Sequence, residues 1–124
     1  HGRLPHPKLT ALPQVSTVHV YLTYPFVLSW RLMEAMSCQA AIVASDTDPV
    51  RELLSHDKTA RLVDFFDQDA LVDAVCALLD DPETRDRLGM DARAHIVENY
   101  DLDRICMPRQ LQWVADVMDA KPTR

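Results

Sequence analysis

Glycine is scarce in this chain, which contains only Gly2 and Gly89 among its 124 residues. Backbone positions that need a positive φ must therefore be occupied by residues with side chains, at a cost of about 1 kcal/mol each. Cysteine is also rare: Cys38, Cys76 and Cys106 lie far apart among apolar residues and form neither a CxxC pair nor a metal-ligand spacing. The sequence therefore predicts buried free thiols, with no disulfide and no metal site.

Positive charge and long apolar runs are lacking as well. The chain has 13 Lys and Arg against 19 Asp and Glu, a net charge of −6 at pH 7. Proteins that bind nucleic acid usually carry a basic patch or stripe, so we expect no nucleic-acid partner. No apolar run reaches the roughly 18 residues needed to cross a bilayer. The residues that are present, 48% hydrophobic and 26% charged, are typical of one small globular domain with a modest core.

Strand and helix patterns alternate in the first half of the chain. Strands are predicted at Thr17–Leu22, at 40–44 and at Arg61–Val63. The segment Trp30–Cys38 has the pattern of a helix, and the proline-rich segment Pro5–Pro13 predicts short turns. This alternation predicts an α/β fold, with a partial Rossmann-like parallel sheet of about three strands and flanking helices.

Capping signals mark the helices that follow. Asp48-Pro49 predicts a helix that begins with Asp48 as its cap and runs to about Leu54, and Asp81-Pro82 predicts another start of the same kind. Asp67 is predicted to cap the helix between them.

The last third of the chain is predicted to be helical, over about 82–120. Gly89 is expected to separate a short helix from a longer one, and a final helix follows Asp101. The apolar stripe of this final helix consists of Ile105, Leu111, Val114 and Met118. Trp113 in this helix and Trp30 earlier in the chain are expected to anchor the hydrophobic core.

Glu34 carries the clearest functional signal. It opens the segment Glu34-Ala35-Met36-Ser37-Cys38, between two apolar stretches that predict buried strands. A carboxylate in this place costs stability unless something binds there. The second apolar stretch ends in Ser45-Asp46, and open α/β sheets bind ligands at the carboxyl ends of their parallel strands. Together these segments predict a ligand crevice.

The stretch Tyr24–Asp64 resembles the donor-nucleotide half of the retaining glycosyltransferases of the GT-B fold, the glycosyl transferases group 1 family (GT4). The family motif has two Glu residues separated by seven others, the second followed by Ala-Met, a small residue and Cys or Ala. The segment that begins at Glu34 matches the second half of this motif. Further matches follow in the same order over nearly the whole chain, at Val43–Asp46, Leu62–Asp64, Leu78–Pro82, Arg87–Gly89, Ala92-Arg93 and Tyr100.

The resemblance implies a nucleotide-sugar donor, a UDP-, GDP- or ADP-sugar. Glu34 would accept hydrogen bonds from the ribose hydroxyls, since the two oxygens of a carboxylate can take a vicinal diol together. The loop before its helix would present backbone N–H groups to the diphosphate and sugar. The loop residues assigned to this role are Val27, Leu28, Ser29 and Trp30. No catalytic residue, cofactor or metal ligand is assigned, because the retaining reaction uses no protein nucleophile that this chain could supply.

The chain departs from the family pattern at several positions. Phe26 stands where family members have the first Glu of the motif, which touches the transferred sugar, and both loop glycines are replaced. Gln39 and the turn at 56–60 replace further glycine positions, so we expect rearranged loops as well as weakened sugar recognition. Arg31 does not match the phosphate-binding residues of the family, which lie in an earlier region.

One interpretation accounts for these features together: residues 1–124 form an incomplete C-terminal nucleotide-sugar-binding domain of a glycosyltransferase. The N-terminal acceptor domain is missing, so the chain alone should be inactive. We expect a cytoplasmic location or a peripheral one at the inner face of the membrane, and self-association through the open sheet edge. Two alternatives stay open. Phe26 and the lost glycines favour a degenerate, non-catalytic α/β module that binds a partner protein, whereas an unrelated flavodoxin-like domain has only Asp46 in its support.

Overall fold

The computed structural model describes residues 5–120. Within them, three strands form one parallel sheet in chain order. They are β1 (His19–Tyr21), β2 (Ile42–Ser45) and β3 (Arg61–Val63). His19 lies opposite Ile42, and Ser45 lies opposite Val63. The predicted α/β fold class with about three parallel strands is confirmed.

Helices connect and flank the strands. They are α1 (His6–Val15), α2 (Trp30–Ser37), α3 (Asp48–Arg51), α4 (Gln68–Asp80), α5 (Pro82–Tyr100), a π-helical turn (Leu102–Cys106) and α6 (Met107–Asp119). The short turns predicted for Pro5–Pro13 are wrong, since these residues belong to α1 and its N-cap. Pro7 lies in the first turn, where backbone N–H groups have no helical partner in any case, so only Pro13 removes an internal hydrogen bond.

The helix predicted to run from Asp48 to Leu54 is a single turn that ends at Arg51. Its N-cap residue is Thr47, so the prediction that Asp48 caps it is also wrong. After Arg51 the backbone continues as a turn, in which the N–H groups of Leu53 and Leu54 both donate to the carbonyl of Val50, at 3.1 and 2.9 Å.

The other two capping predictions are confirmed. Asp67 Oδ1 accepts the N–H of Ala70 at 2.9 Å at the start of α4. Asp81 Oδ1 accepts the N–H of Thr84 at 3.0 Å at the start of α5. Both helix starts therefore follow from local sequence alone.

Apolar side chains cover both faces of the sheet, as expected for parallel strands between helices. On one face, Ile42 and Ala44 of β2 pack among buried side chains of α2, α3 and α5. On the other face, Val43 of β2 packs with Leu78 of α4 and Leu88 of α5. All four residues of β2 are buried, so this strand lies at the centre of the core.

A left-handed residue ends α2. Gln39 has a φ of 61°, and its N–H donates to the carbonyl of Met36 at 3.0 Å. The N–H of Ala40 donates to the carbonyl of Ala35 at 3.1 Å. This is a Schellman arrangement, in which the left-handed residue is usually glycine. Asp57 likewise has a φ of 60°. At these two turns the backbone takes the left-handed conformation in spite of the side chain, and the rearrangement of loops relative to the family stays a prediction.

Helix α5 is continuous over Pro82–Tyr100, so the prediction that Gly89 separates two helices is wrong. Glycine is needed there for close packing. A Cβ atom at this position would lie 2.4 Å from the carbonyl oxygen of Gln39, so the missing side chain lets α5 cross directly over the end of α2. One turn later, the guanidinium of Arg93 donates to the carbonyl of Ser37 at the same helix end.

Two expectations about burial are wrong. Trp30 is 80% exposed and Trp113 is 67% exposed, so neither anchors the core. Trp30 points away because it lies on the opposite side of α2 from the buried residues of that helix, which are Leu32, Ala35 and Met36. All three thiols are free, but Cys76 is exposed and Cys38 and Cys106 are only partly buried.

Helix α6 has no buried residue. The predicted apolar stripe runs along one side of it, yet Leu111, Val114 and Met118 are all exposed. No helix within residues 5–120 combines the length and the apolar character that a membrane span requires.

Candidate functional site

The side of α2 that faces away from the sheet borders two adjoining cavities. Leu28, Ser29 and Trp30 line the first, of about 320 Å³, together with Met33. Glu34 lines the second, of about 390 Å³, and Trp30 and Met33 border both. The remaining walls of the second cavity come from α1, α5 and the end of α2, and consist of Thr10, Ser37, Cys38, Ile96 and Tyr100. The structure thus brings four of the five predicted donor residues to one side of one helix, and the fifth, Val27, lies in the loop before it.

The N-terminus of α2 is capped from within the chain. Ser29 Oγ accepts the N–H of Arg31 at 3.2 Å. The N–H of Ser29 itself donates to the hydroxyl of Tyr21 at 2.8 Å. The N–H of Val27 donates to the carbonyl of Tyr24 at 3.0 Å. Two of the backbone N–H groups predicted to face a ligand therefore have partners inside the protein.

Glu34 forms an ion pair with Arg31, one turn earlier on α2. The side chains are 29% and 36% exposed, respectively, so the pair is partly withdrawn from water. The carboxylate therefore has a cationic partner within the protein, and a ligand at Glu34 stays a prediction. The i, i+3 spacing of opposite charges on a helix is a signal for this pair that is present in the sequence.

The polar residues at the carboxyl end of β2 are also tied to protein partners. Buried Ser45 exchanges hydrogen bonds with the backbone of Thr23, at 3.3 Å in each direction. Asp46 is held by both nitrogens of the Arg51 fork, at 2.6 and 2.7 Å. The hydrogen bonds from Arg51 lower the pKa of Asp46. Ser45 and Asp46 thus have partners within the protein, and the ligand crevice at this strand end stays a prediction.

An aromatic cluster that the sequence did not predict lies beyond the ends of β1 and β3. The ring of Tyr24 contacts Phe26 and Phe65, with centroids 5.7 and 5.6 Å apart, and Phe65 contacts Phe66 at 4.9 Å. Phe26, which replaces the first Glu of the family motif, is 78% exposed. The position that carries a charge in the family is therefore part of an exposed aromatic surface in this protein.

Two further observations concern titratable groups. The pKa of His19 is lowered by burial and by the nearby positive charge of Arg31.

Among the residues that the structure describes, no three His, Cys, Asp or Glu side chains come together in a way that could hold a metal ion.

A family model for the "Glycosyl transferases group 1" matches residues 1–95. The chain belongs to this family. Alpha-maltose-1-phosphate synthase of Mycobacterium tuberculosis is 35% identical to it over 74 aligned positions, in an alignment that covers 55% of this chain and 19% of that enzyme. Phosphatidyl-myo-inositol mannosyltransferase of Mycolicibacterium smegmatis is 39% identical over 71 residues, 56% of this chain and 18% of that enzyme. The group 1 resemblance seen in the sequence is thereby confirmed.

Solved structures give the same answer for the fold. Sucrose-phosphate synthase of Thermosynechococcus elongatus superimposes with a TM-score of 0.83 at 20% sequence identity, over 97% of this chain and 30% of that one. This match confirms the GT-B type of fold. The group 1 chain spans less than a third of the length of each of these relatives.

Proposed function

We propose that this chain is the C-terminal, nucleotide-sugar-binding part of a retaining glycosyltransferase. Glu34 would accept hydrogen bonds from the ribose hydroxyls of the nucleotide sugar. The observation that carries the proposal is the position of Glu34 on the same side of α2 as Leu28, Ser29 and Trp30, in adjoining cavities. Family membership supports a nucleotide-sugar donor, since residues 1–95 match the group 1 family.

The donor would lie along α2. Its diphosphate belongs at the N-terminus, where the helix dipole favours negative charge. The N–H groups of Leu28 and Trp30 would receive it there, because those of Val27 and Ser29 donate within the protein. Glu34 lies about one helical turn further on, roughly 6 Å from Trp30 on the same side, which suits a ribose attached to that diphosphate.

In this proposal, the glycosyl transfer also needs catalytic and acceptor-binding groups from outside residues 1–124. No catalytic residue is assigned within residues 1–124, and the acceptor would bind to an N-terminal domain. We therefore expect no glycosyl transfer by the isolated chain. A cytoplasmic location is part of the proposal.

Titration with UDP-glucose, GDP-mannose and ADP-glucose, followed by calorimetry or ligand-observed NMR, tests this proposal. One donor should bind, and Glu34→Ala should weaken it by about 10- to 100-fold, since hydrogen bonds to a charged group contribute about 1.5–3 kcal/mol. Glu52→Ala is a matched control. This carboxylate is exposed at the end of α3 and lies outside both cavities. Equal binding by wild type and Glu34→Ala, or none by a folded wild type, would contradict the ribose role.

A second function, a non-catalytic module that binds a partner protein, is favoured by one specific observation. The exposed aromatic Phe26 replaces the motif Glu, and large exposed apolar patches are typical of interaction surfaces. Self-association would occur at the open edge of β1, where Val20 and Leu22, the residue after the strand, are about half exposed. Analytical ultracentrifugation over a range of concentrations would detect it, whereas a monomer at every concentration would argue against this edge as an interface.

A further inference from the structure

We propose that Arg31 is a positioning residue for Glu34 and, through it, sets the preference of the site for a ribose diol. This inference rests on the donor-binding function proposed above. It concerns a residue that lies outside the matched motif, on the turn of α2 that precedes Glu34.

The two nitrogens of the Arg31 fork have different partners. Nη1 donates to Glu34 Oε2, and Nη2 donates to the carbonyl oxygen of Leu9 in α1 at 3.3 Å. The guanidinium is therefore fixed between two helices. A planar guanidinium that is held at both ends presents its donors in one fixed geometry, which the single ammonium of lysine cannot do.

The carbonyl of Leu9 can receive Arg31 because of Pro13. In a regular helix this carbonyl would accept the N–H of the residue four positions later, but Pro13 has no N–H to donate. The proline inside α1 thus leaves an acceptor on the helix surface, and Arg31 occupies it. Pro13 itself is buried.

The consequence for Glu34 concerns its orientation. The last torsion of a glutamate side chain is broad, so an unrestrained carboxylate rotates among many orientations. The bond from Arg31 to Oε2 restrains this rotation before any ligand arrives. A diol needs the two carboxylate oxygens in one orientation, and preorganising them reduces the entropy lost on binding. The orienting effect of Arg31, as distinct from the effect of its positive charge, should therefore appear only with ligands that carry the diol.

The test compares Arg31→Lys with wild type, using the diphosphate among UDP, GDP and ADP that binds best and its 2′,3′-dideoxy counterpart. The measured quantity is the ratio of the two Kd values in the full 124-residue chain. Wild type should prefer the diol by about tenfold or more, and Arg31→Lys should reduce this preference at least severalfold while the dideoxy Kd stays unchanged. Arg31→Gln, which removes the charge, should reduce the same ratio and also weaken the dideoxy ligand.

The controls separate this effect from general damage. Arg109→Lys makes the same chemical change at an exposed position of α6 and should leave the ratio as it is in wild type. Thermal unfolding of each variant shows whether it is folded. If Arg31→Gln does not fold, Arg31→Lys still tests the proposal, because it keeps the positive charge. A structural role for Arg31 alone would weaken both ligands equally.

Two results overturn the proposal, and they differ in what else they overturn. An unchanged or increased ratio in Arg31→Lys removes the positioning role and leaves Glu34 as the ribose ligand. A wild type that does not distinguish the two ligands removes both the ribose site and the inference that rests on it.

Discussion

Replacing Gly89 by alanine should destabilise this protein, although alanine is the better helix former. The new Cβ would lie 2.4 Å from the carbonyl oxygen of Gln39 and 3.2 Å from its carbonyl carbon. Both are backbone atoms, and hydrogen bonds from Gln39 and Ala40 to α2 hold them in place. The contact can therefore be relieved only if α5 moves away from α2, which separates the buried side chains of both helices.

The two opposing effects can be compared in size. Overpacking of this kind costs about 1–3 kcal/mol, and a rigid backbone contact places Gly89 near the upper end. Alanine recovers about 1 kcal/mol of helix propensity. The free energy of unfolding should therefore fall by about 2 kcal/mol, and the melting temperature by about 8 °C for a chain of this length.

Urea unfolding followed by far-UV circular dichroism measures this difference. The midpoint should fall with no change in slope, as expected when only stability changes. Ala94→Gly, at an exposed position on the same helix, gives the propensity effect without the close contact and should cost about 1 kcal/mol. A Gly89→Ala variant that is more stable than wild type by the same amount would refute the argument from close packing.

Three further predictions follow from local features. Gln39→Gly should raise the free energy of unfolding by about 0.5–1 kcal/mol in urea titrations, because glycine adopts the left-handed φ without steric cost but loses more entropy on folding; no gain would mean that the turn is unstrained. Asp67→Ala should lower it by about 1 kcal/mol through loss of the cap on α4, whereas Asp69→Ala, in the same turn, should have a smaller effect. The pKa of His19 is lowered in the folded protein from 6.5, so the folded state binds fewer protons, and stability that is present above pH 6.5 is lost as the pH falls through the folded pKa; His19→Gln should flatten this loss in unfolding titrations at successive pH values, and an equal slope in both proteins would contradict it.

The elements that could be predicted from the sequence are those with local signals. The strand at Arg61–Val63 and the caps at Asp67 and Asp81 depend on residues within one or two turns of each other. The close packing that requires glycine at position 89 has no such signal, since the carbonyl of Gln39 that it packs against is 50 residues away along the chain. A glycine inside a helical pattern suggests a break unless the neighbouring helix is known.

The candidate site shows the same division. Glu34 could be found because a contiguous motif surrounds it. The contact between Arg31, which pairs with Glu34, and Leu9 could not be predicted. It joins residues of two helices that are 22 positions apart, and it depends on a proline in α1. The predicted burial of Trp30 is wrong for a related reason: a large apolar side chain suggests the core, but α2 turns a different set of residues towards the sheet.

The exposure of α6 has a consequence for how the molecule opens. Because none of its residues is buried, unravelling this helix would bring little new apolar surface into contact with water. A helix of 13 residues is also near the length at which isolated helices are marginal in water. Its local unfolding should therefore require much less free energy than global unfolding, and its amide hydrogens should exchange with solvent well before those of β2. Within residues 5–120, we therefore expect proteolysis of the folded protein to begin in α6.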